Sequence, residues 1–153
     1  MLVFVIFDCK AWHMPSIVWW SPLLGAVLAF FVNFLYFSPK GLYPAWIRAL
    51  GRDPSKPPMG SISPGAAFGG TIIALLAQAY GLALLISLRE MSGTSVGPIR
   101  GLIGGAIVGV LFAAAPALGH RLFSGQGFKV WLIESGGDIA GLAAIGLVIG
   151  IWH

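Results

Sequence analysis

Glu134 and Asp138 are the residues of this chain most able to do chemistry, because they are the only acidic side chains well inside a stretch that is otherwise almost free of charge. Four residues apart on a helix, the two carboxyl groups lie on one face, with their Cβ atoms about 5–6 Å apart. Asp138 lies about 10 Å beyond Trp131, where an ionised carboxylate in a membrane costs about 2.5–3.5 kcal/mol or more. It must therefore be neutral, paired or hydrated, and two neighbouring carboxyl groups can share one proton. The pair is predicted to be a proton- or cation-binding site.

A structural role for the same two residues is the alternative. A protonated Asp138 would then donate a hydrogen bond to another helix, and Glu134 would pair with Arg121 or Lys129. Polar side chains on other spans are candidates for interhelical bonds of this kind: Asn33, Gln78 and Tyr80. Such bonds contribute roughly 0.6–2 kcal/mol in lipid, so joining helices is their default role.

Other kinds of chemistry lack the residues that they need. Cys9 is the only cysteine, so an internal disulfide is impossible, and no Cys or His cluster has the spacing of a metal site. No nucleophile and base can be paired with any specificity, and His120, beside Arg121 at the end of a span, is typical of a membrane interface. The sequence predicts no enzymatic activity, no cofactor and no metal.

Four long apolar stretches must position these side chains. Hydrophobic residues make up 58% of the 153 residues and charged residues only 9%, which a soluble domain of this size could not hide from water. Each stretch is long enough to cross a bilayer of about 30 Å at about 1.5 Å per residue. The stretches are 15–37, 64–88, 98–118 and 130–152. They predict an all-α membrane protein with a bundle of four transmembrane helices.

The helices use nearly the whole chain, so a single domain is predicted over 15–153. Residues 1–14 are expected to be a disordered tail or a start-site artefact, with translation beginning at either Met1 or Met14. The formal net charge is +4, but the basic residues fall in the loops between spans. Anionic lipid headgroups are therefore the expected partners, and nucleic acid is not.

The distribution of basic residues predicts the orientation of the spans. Six basic residues lie in the first and third loops and three on the opposite side: Lys40, Arg48, Arg52, Lys56, Arg121 and Lys129 against Lys10, Arg89 and Arg100. Since short loops rich in Lys and Arg stay in the cytoplasm, both termini are predicted to lie outside it.

A short helix is predicted in the first loop, over 44–50. The Ser38-Pro39 pair stops the first span, and Pro44 can begin a new helix that ends before Gly51. Trp46 would reach the acyl boundary while Arg48 faces phosphate. This interfacial helix is interpreted as a lipid anchor, with a substrate-binding gate as the alternative.

Glycines dominate the packing signal inside the spans. They recur at four-residue intervals in three of them: Gly65-Gly69, Gly101-Gly105-Gly109, Gly137-Gly141 and Gly146-Gly150. Such ridges let backbones approach closely, either within one bundle, which is the favoured interpretation, or between copies of the chain. Pro22 and Pro116 are expected to kink or end the first and third spans.

Several motifs resemble those of the domain of unknown function 1761 family of small bacterial membrane proteins. They are Tyr36-Phe37-Ser38-Pro39, Ala45-Trp46, His120-Arg121 leading into Phe128-Lys129, and Glu134-Ser135-Gly136 at the start of the last span. The chain departs from the family pattern at Glu134 and at Gly137-Asp138. The resemblance implies a four-helix inner-membrane protein, and it supplies no activity, substrate or cofactor.

The functional prediction is a non-enzymatic membrane protein that forms a small homo-oligomer or serves as an accessory subunit beside an unknown membrane protein. The alternative is a proton- or cation-coupled transporter of small solutes that uses Glu134 and Asp138 as its ion-binding carboxylates.

Overall fold

The computed structural model describes residues 17–53 and 62–152, so the tail or start-site artefact predicted at 1–14 lies outside the described residues. Within these ranges the chain is helical and has no strand, which confirms the all-α prediction. The elements are α1 (Ser21–Tyr36), α2 (Tyr43–Ala49), α3 (Pro64–Met91), α4 (Pro98–Val108), a π-helical segment (Gly109–Ala114), α5 (Ala115–Phe123) and α6 (Gly127–Ile151).

Three helical stretches are long enough and apolar enough to cross a membrane: Pro64–Met91, Pro98–Phe123 and Gly127–Ile151. The remaining predicted span, the first one in the sequence, corresponds to the apolar helix α1. This helix has only 16 residues and is therefore about 24 Å long. Many large apolar side chains point outward from the described helices, among them Phe31, Ile73, Ile99 and Phe112. Such an apolar surface suits hydrocarbon and does not suit water.

Helix α6 lies at the centre of the bundle. It packs antiparallel to α4, where a Cβ atom on Gly101 or Gly105 would meet the carbonyl oxygen of Gly146 or Leu142. It also packs antiparallel to α1, where Gly25 lies against Ile145. Helix α3 closes the core against α1 and α6. Trp20 and Trp152 stack edge to face with ring centroids 4.9 Å apart, so the two ends of the described chain lie together.

The third span does not end at Pro116, because helix continues through it to Phe123. The π-helical segment lies just before this proline, which has no N–H to donate to the preceding turn. The Ala114 carbonyl at this junction accepts a hydrogen bond of 2.7 Å from the indole Nε1 of Trp131. This bond ties the end of the π-helical segment to the first turns of α6.

Candidate functional site

An ion pair joins α5 to α6 at the end of the bundle that carries α2. Arg121, in the last turn of α5, places its Nε atom 2.6 Å from Oε2 of Glu134, and its Nη1 atom donates a 2.7 Å hydrogen bond to Oε1 of Gln126. Gly125 and Gly127 reverse the chain between the two helices with φ of 72° and 82°, values that glycine adopts without steric cost. The side chains of Arg121 and Glu134 are 37% and 19% exposed, so the pair is partly shielded from solvent.

Trp46 binds the other carboxylate oxygen of Glu134. Its indole Nε1 donates a 2.9 Å hydrogen bond to Oε1 of Glu134, and its ring packs edge to face against Phe37. Glu134 thus holds α2 and α5 to α6 at once. The sequence alone indicated Arg121 as a possible partner of Glu134, but it placed Trp46 in a lipid anchor or, alternatively, in a substrate-binding gate. The available signal was the indole N–H, which needs an acceptor wherever it is taken out of water.

Asp138 lies one turn further along α6 and has a different environment. Its side chain is exposed, and none of the residues that the structure describes offers it a hydrogen bond or an ion pair. It interacts electrostatically with Glu134 and Arg121. The two carboxyl groups therefore share a side of α6, but only Glu134 is bound on both oxygens.

None of the three side chains predicted to join helices, Asn33, Gln78 and Tyr80, forms a hydrogen bond with Asp138 in the part of the chain that the structure describes. Asn33 donates a 3.1 Å hydrogen bond to the Ala29 carbonyl of its own helix, and its amide lies over Gly137 and Gly141 of α6. The Tyr80 hydroxyl donates to the Trp19 carbonyl at 3.1 Å. Gln78 is exposed on α3, away from the ion pair.

An aromatic cavity of about 380 Å³ lies between α1, α2 and α3. Six aromatic side chains line it: Phe30, Phe34, Phe37, Tyr43, Trp46 and Phe68. Sequence analysis missed this cavity, although Phe30, Phe34 and Phe37 fall at the i, i+4 and i+7 positions of one helical face. Across 17–53 and 62–152 no three His, Cys, Asp or Glu side chains come close enough to hold a metal ion.

Fold and site together define an all-helical protein with membrane-compatible helices that are fastened at one end by an ion pair. Residues 20–150 match the family described as protein of unknown function (DUF1761). The chain belongs to this family, as the resemblance in its motifs predicted. No curated protein and no solved structure matches the chain.

Proposed function

We propose that this chain is a non-enzymatic integral protein of the bacterial inner membrane, and that it works as a small homo-oligomer. An accessory subunit of another membrane complex is the alternative form of the same proposal. The observation that carries the proposal is an exposed face of α3 that consists of small residues around the side-chain amide of Gln78.

Four crossings and external termini are part of this proposal. The contact between Trp20 and Trp152 supports four crossings, since two residues on one side of a membrane are joined by an even number of crossings. Helix α2 supports a position in the interface, because Ile47 is fully buried toward the bundle while Arg48 is exposed. The basic first and third loops support a cytoplasmic location for this end.

The exposed face of α3 has the composition of a helix–helix contact. Gly70, Ala74, Ala77 and Gly81 are all exposed and recur with 4-3-4 spacing, which keeps them on one side of a helix. Around Gly70 and Gly81 the structure leaves open space, since a Cβ atom there would meet nothing within 4 Å. Small residues allow two backbones to approach closely in lipid, where packing replaces the hydrophobic effect as the force between helices.

Gln78 points to a second copy as the partner of this face. It lies in the middle of Pro64–Met91, beside Ala74 and Gly81, and it is exposed. Among the residues that the structure describes, none forms a hydrogen bond with its amide, which is unfavourable in hydrocarbon. Across a twofold axis, the Gln78 amide of a second copy offers both a donor and an acceptor. The two amides can therefore hydrogen-bond to each other.

Ala77→Phe is expected to abolish self-association, because a ring in the centre of this face keeps the helices apart. Gln78→Leu is expected to weaken the dimer by about 3- to 30-fold, the equivalent of one interhelical amide bond of roughly 0.6–2 kcal/mol. Energy transfer between donor- and acceptor-labelled chains in vesicles measures both effects.

Ala115→Phe is the matched control, since Ala115 is exposed on α5 and should leave association unchanged. Equal energy transfer in the Ala77→Phe and Ala115→Phe variants would contradict the proposed face. A wild-type chain that is monomeric in vesicles but migrates with a larger complex in native membranes would favour the accessory subunit.

The environment of Asp138 favours a second candidate, the proton- or cation-coupled transporter. A carboxyl group that is exposed within a span is a default candidate for an ion pathway. The ion pair of Glu134 with Arg121 occupies the other member of the predicted pair, so this candidate depends on Asp138 alone.

Asp138→Asn is expected to reduce proton uptake in reconstituted vesicles to the level of protein-free vesicles if transport is the function. An internal pH-sensitive dye measures the uptake after a pH step. Glu90→Gln makes the same change from carboxyl to amide at the end of α3 and should leave uptake unchanged. Uptake that is the same with Asn and Asp at 138 would exclude the carboxyl group as a carrier.

A further inference from the structure

The aromatic cavity continues along the bundle into a second, apolar cavity. The second cavity has a volume of about 260 Å³ and lies between Leu23, Val27 and Phe30 of α1 and Ile72, Leu75 and Leu76 of α3. Phe30 lines both cavities. We call the combined feature, which follows α1 from Phe37 to Leu23, the α1–α3 groove.

Of the four polar side chains that line this groove, three already donate hydrogen bonds elsewhere, and the fourth, Tyr43, lies at the end formed by α2. The Asn33 amide donates to Ala29, and the Thr71 hydroxyl donates a 2.9 Å bond to the Ala67 carbonyl. The Trp46 indole donates to Glu134. A polar solute would therefore lose its water and gain little in return, whereas a hydrocarbon chain needs no donor.

The length of the groove fits one lipid chain. Fourteen residues of helix separate Leu23 from Phe37, which corresponds to about 21 Å. One leaflet of the hydrocarbon core is about 15 Å thick, so an acyl chain of that leaflet fits between the two ends. Phe37, Tyr43 and Trp46 stand at the end near α2, where aromatic rings mark a membrane interface.

Positive charge marks the same end of the groove. Lys40, in the turn after α1, and Arg48, on the outer face of α2, are both exposed. Cations at this end of the bundle attract an anionic headgroup, whose acyl chain then descends between the helices. We propose that the α1–α3 groove binds an acyl chain of one anionic phospholipid, whose headgroup phosphate lies near Lys40 and Arg48.

Native mass spectrometry of the delipidated full-length protein, titrated with dioleoyl phosphatidylglycerol, tests this proposal. The wild-type chain should retain one lipid per copy. Ala67→Phe places a ring in the groove, since Ala67 lines it, and should lower retention to well below one lipid per copy, because the ring fills the space in which the acyl chain would pack. Ala66→Phe is the matched control, since the neighbouring Ala66 is exposed and does not line the groove.

A surface variant keeps the proposal falsifiable if Ala67→Phe fails to fold. Lys40→Gln combined with Arg48→Gln should lower the preference for phosphatidylglycerol over phosphatidylcholine by about 30-fold, since each cation near the surface contributes about fivefold. Equal retention of the two lipids by the wild-type chain would overturn the proposal, as would equal lipid retention by the Ala67→Phe and Ala66→Phe variants.

The proposal that the α3 face joins two copies and the proposal that the groove binds a lipid can be contradicted independently. Ala77→Phe should abolish self-association and leave lipid retention unchanged, because Ala77 is not part of the groove. If Ala67→Phe abolished self-association and left lipid retention intact, the groove would be a contact between copies and the lipid proposal would be wrong.

Discussion

Gly105→Ala is expected to lower the free energy of unfolding by about 3 kcal/mol, because the added methyl group meets the backbone of a neighbouring helix. A Cβ atom at Gly105 would overlap the carbonyl oxygen of Leu142 on α6 and would lie 2.8 Å from its carbonyl carbon. Both atoms belong to backbone, so relief requires α4 and α6 to move apart. Overpacking of a well-packed interior typically costs about 1–3 kcal/mol, and a helix separation belongs at the upper end.

Gly104→Ala is the matched control for this prediction. The two glycines are adjacent in α4 and gain the same helix propensity from alanine, but a Cβ atom at Gly104 meets nothing within 4 Å. Gly104→Ala should therefore leave the stability unchanged or raise it by up to about 1 kcal/mol. Unfolding of the detergent-solubilised protein by sodium dodecyl sulfate, followed by circular dichroism, measures both. If the two variants are equally stable, α4 and α6 do not make this close contact.

The long helices could be predicted from hydrophobicity because each lies between strong breaks in the pattern. The predicted stretch 64–88 corresponds to Pro64–Met91, and 98–118 corresponds to Pro98–Phe123. Pro64 and Pro98 lie in the first turns, where proline favours a helix start. The third span was predicted to end at 118 because His120 and Arg121 follow the apolar stretch, whereas the helix continues to Phe123.

The first span was the least predictable, because hydrophobicity reports apolar length and not helix length. The apolar stretch predicted at 15–37 contains a helix of only 16 residues, and that helix begins at Ser21. Pro22 is in its first turn, which is compatible with a start at that point.

The partners of the candidate site depend on tertiary structure, and local spacing does not determine them. The i, i+4 spacing correctly puts Glu134 and Asp138 near each other on α6, since helix geometry alone decides this. Trp46, which binds Glu134, is 88 residues away in sequence, so no periodicity connects the two. Similarly, the phenylalanines of α1 define an aromatic face, but only the positions of α2 and α3 turn that face into a cavity.

Glu134→Ala is expected to lower the free energy of unfolding by about 2 kcal/mol and to release α2 from the bundle. Removing one member of a buried ion pair costs about 3–5 kcal/mol, and the value here is lower because the Arg121 side chain is 37% exposed. The substitution also leaves the Trp46 indole without an acceptor. Limited proteolysis in the loop around α2 should therefore be faster than in the wild-type chain.

Glu134→Gln separates the two interactions that the carboxylate makes. Its amide oxygen can still accept the hydrogen bond from Trp46, whereas the charge that pairs with Arg121 is lost. Trp46→Phe makes the complementary change, because it keeps the ring against Phe37 and removes the N–H donor. A cycle with Glu134→Ala, Trp46→Phe and the double variant should give a coupling energy of about 1.5 kcal/mol, as expected for a hydrogen bond to a charged group. If the two effects are additive, the hydrogen bond does not stabilise the protein, and the ion pair alone fastens this end of the bundle.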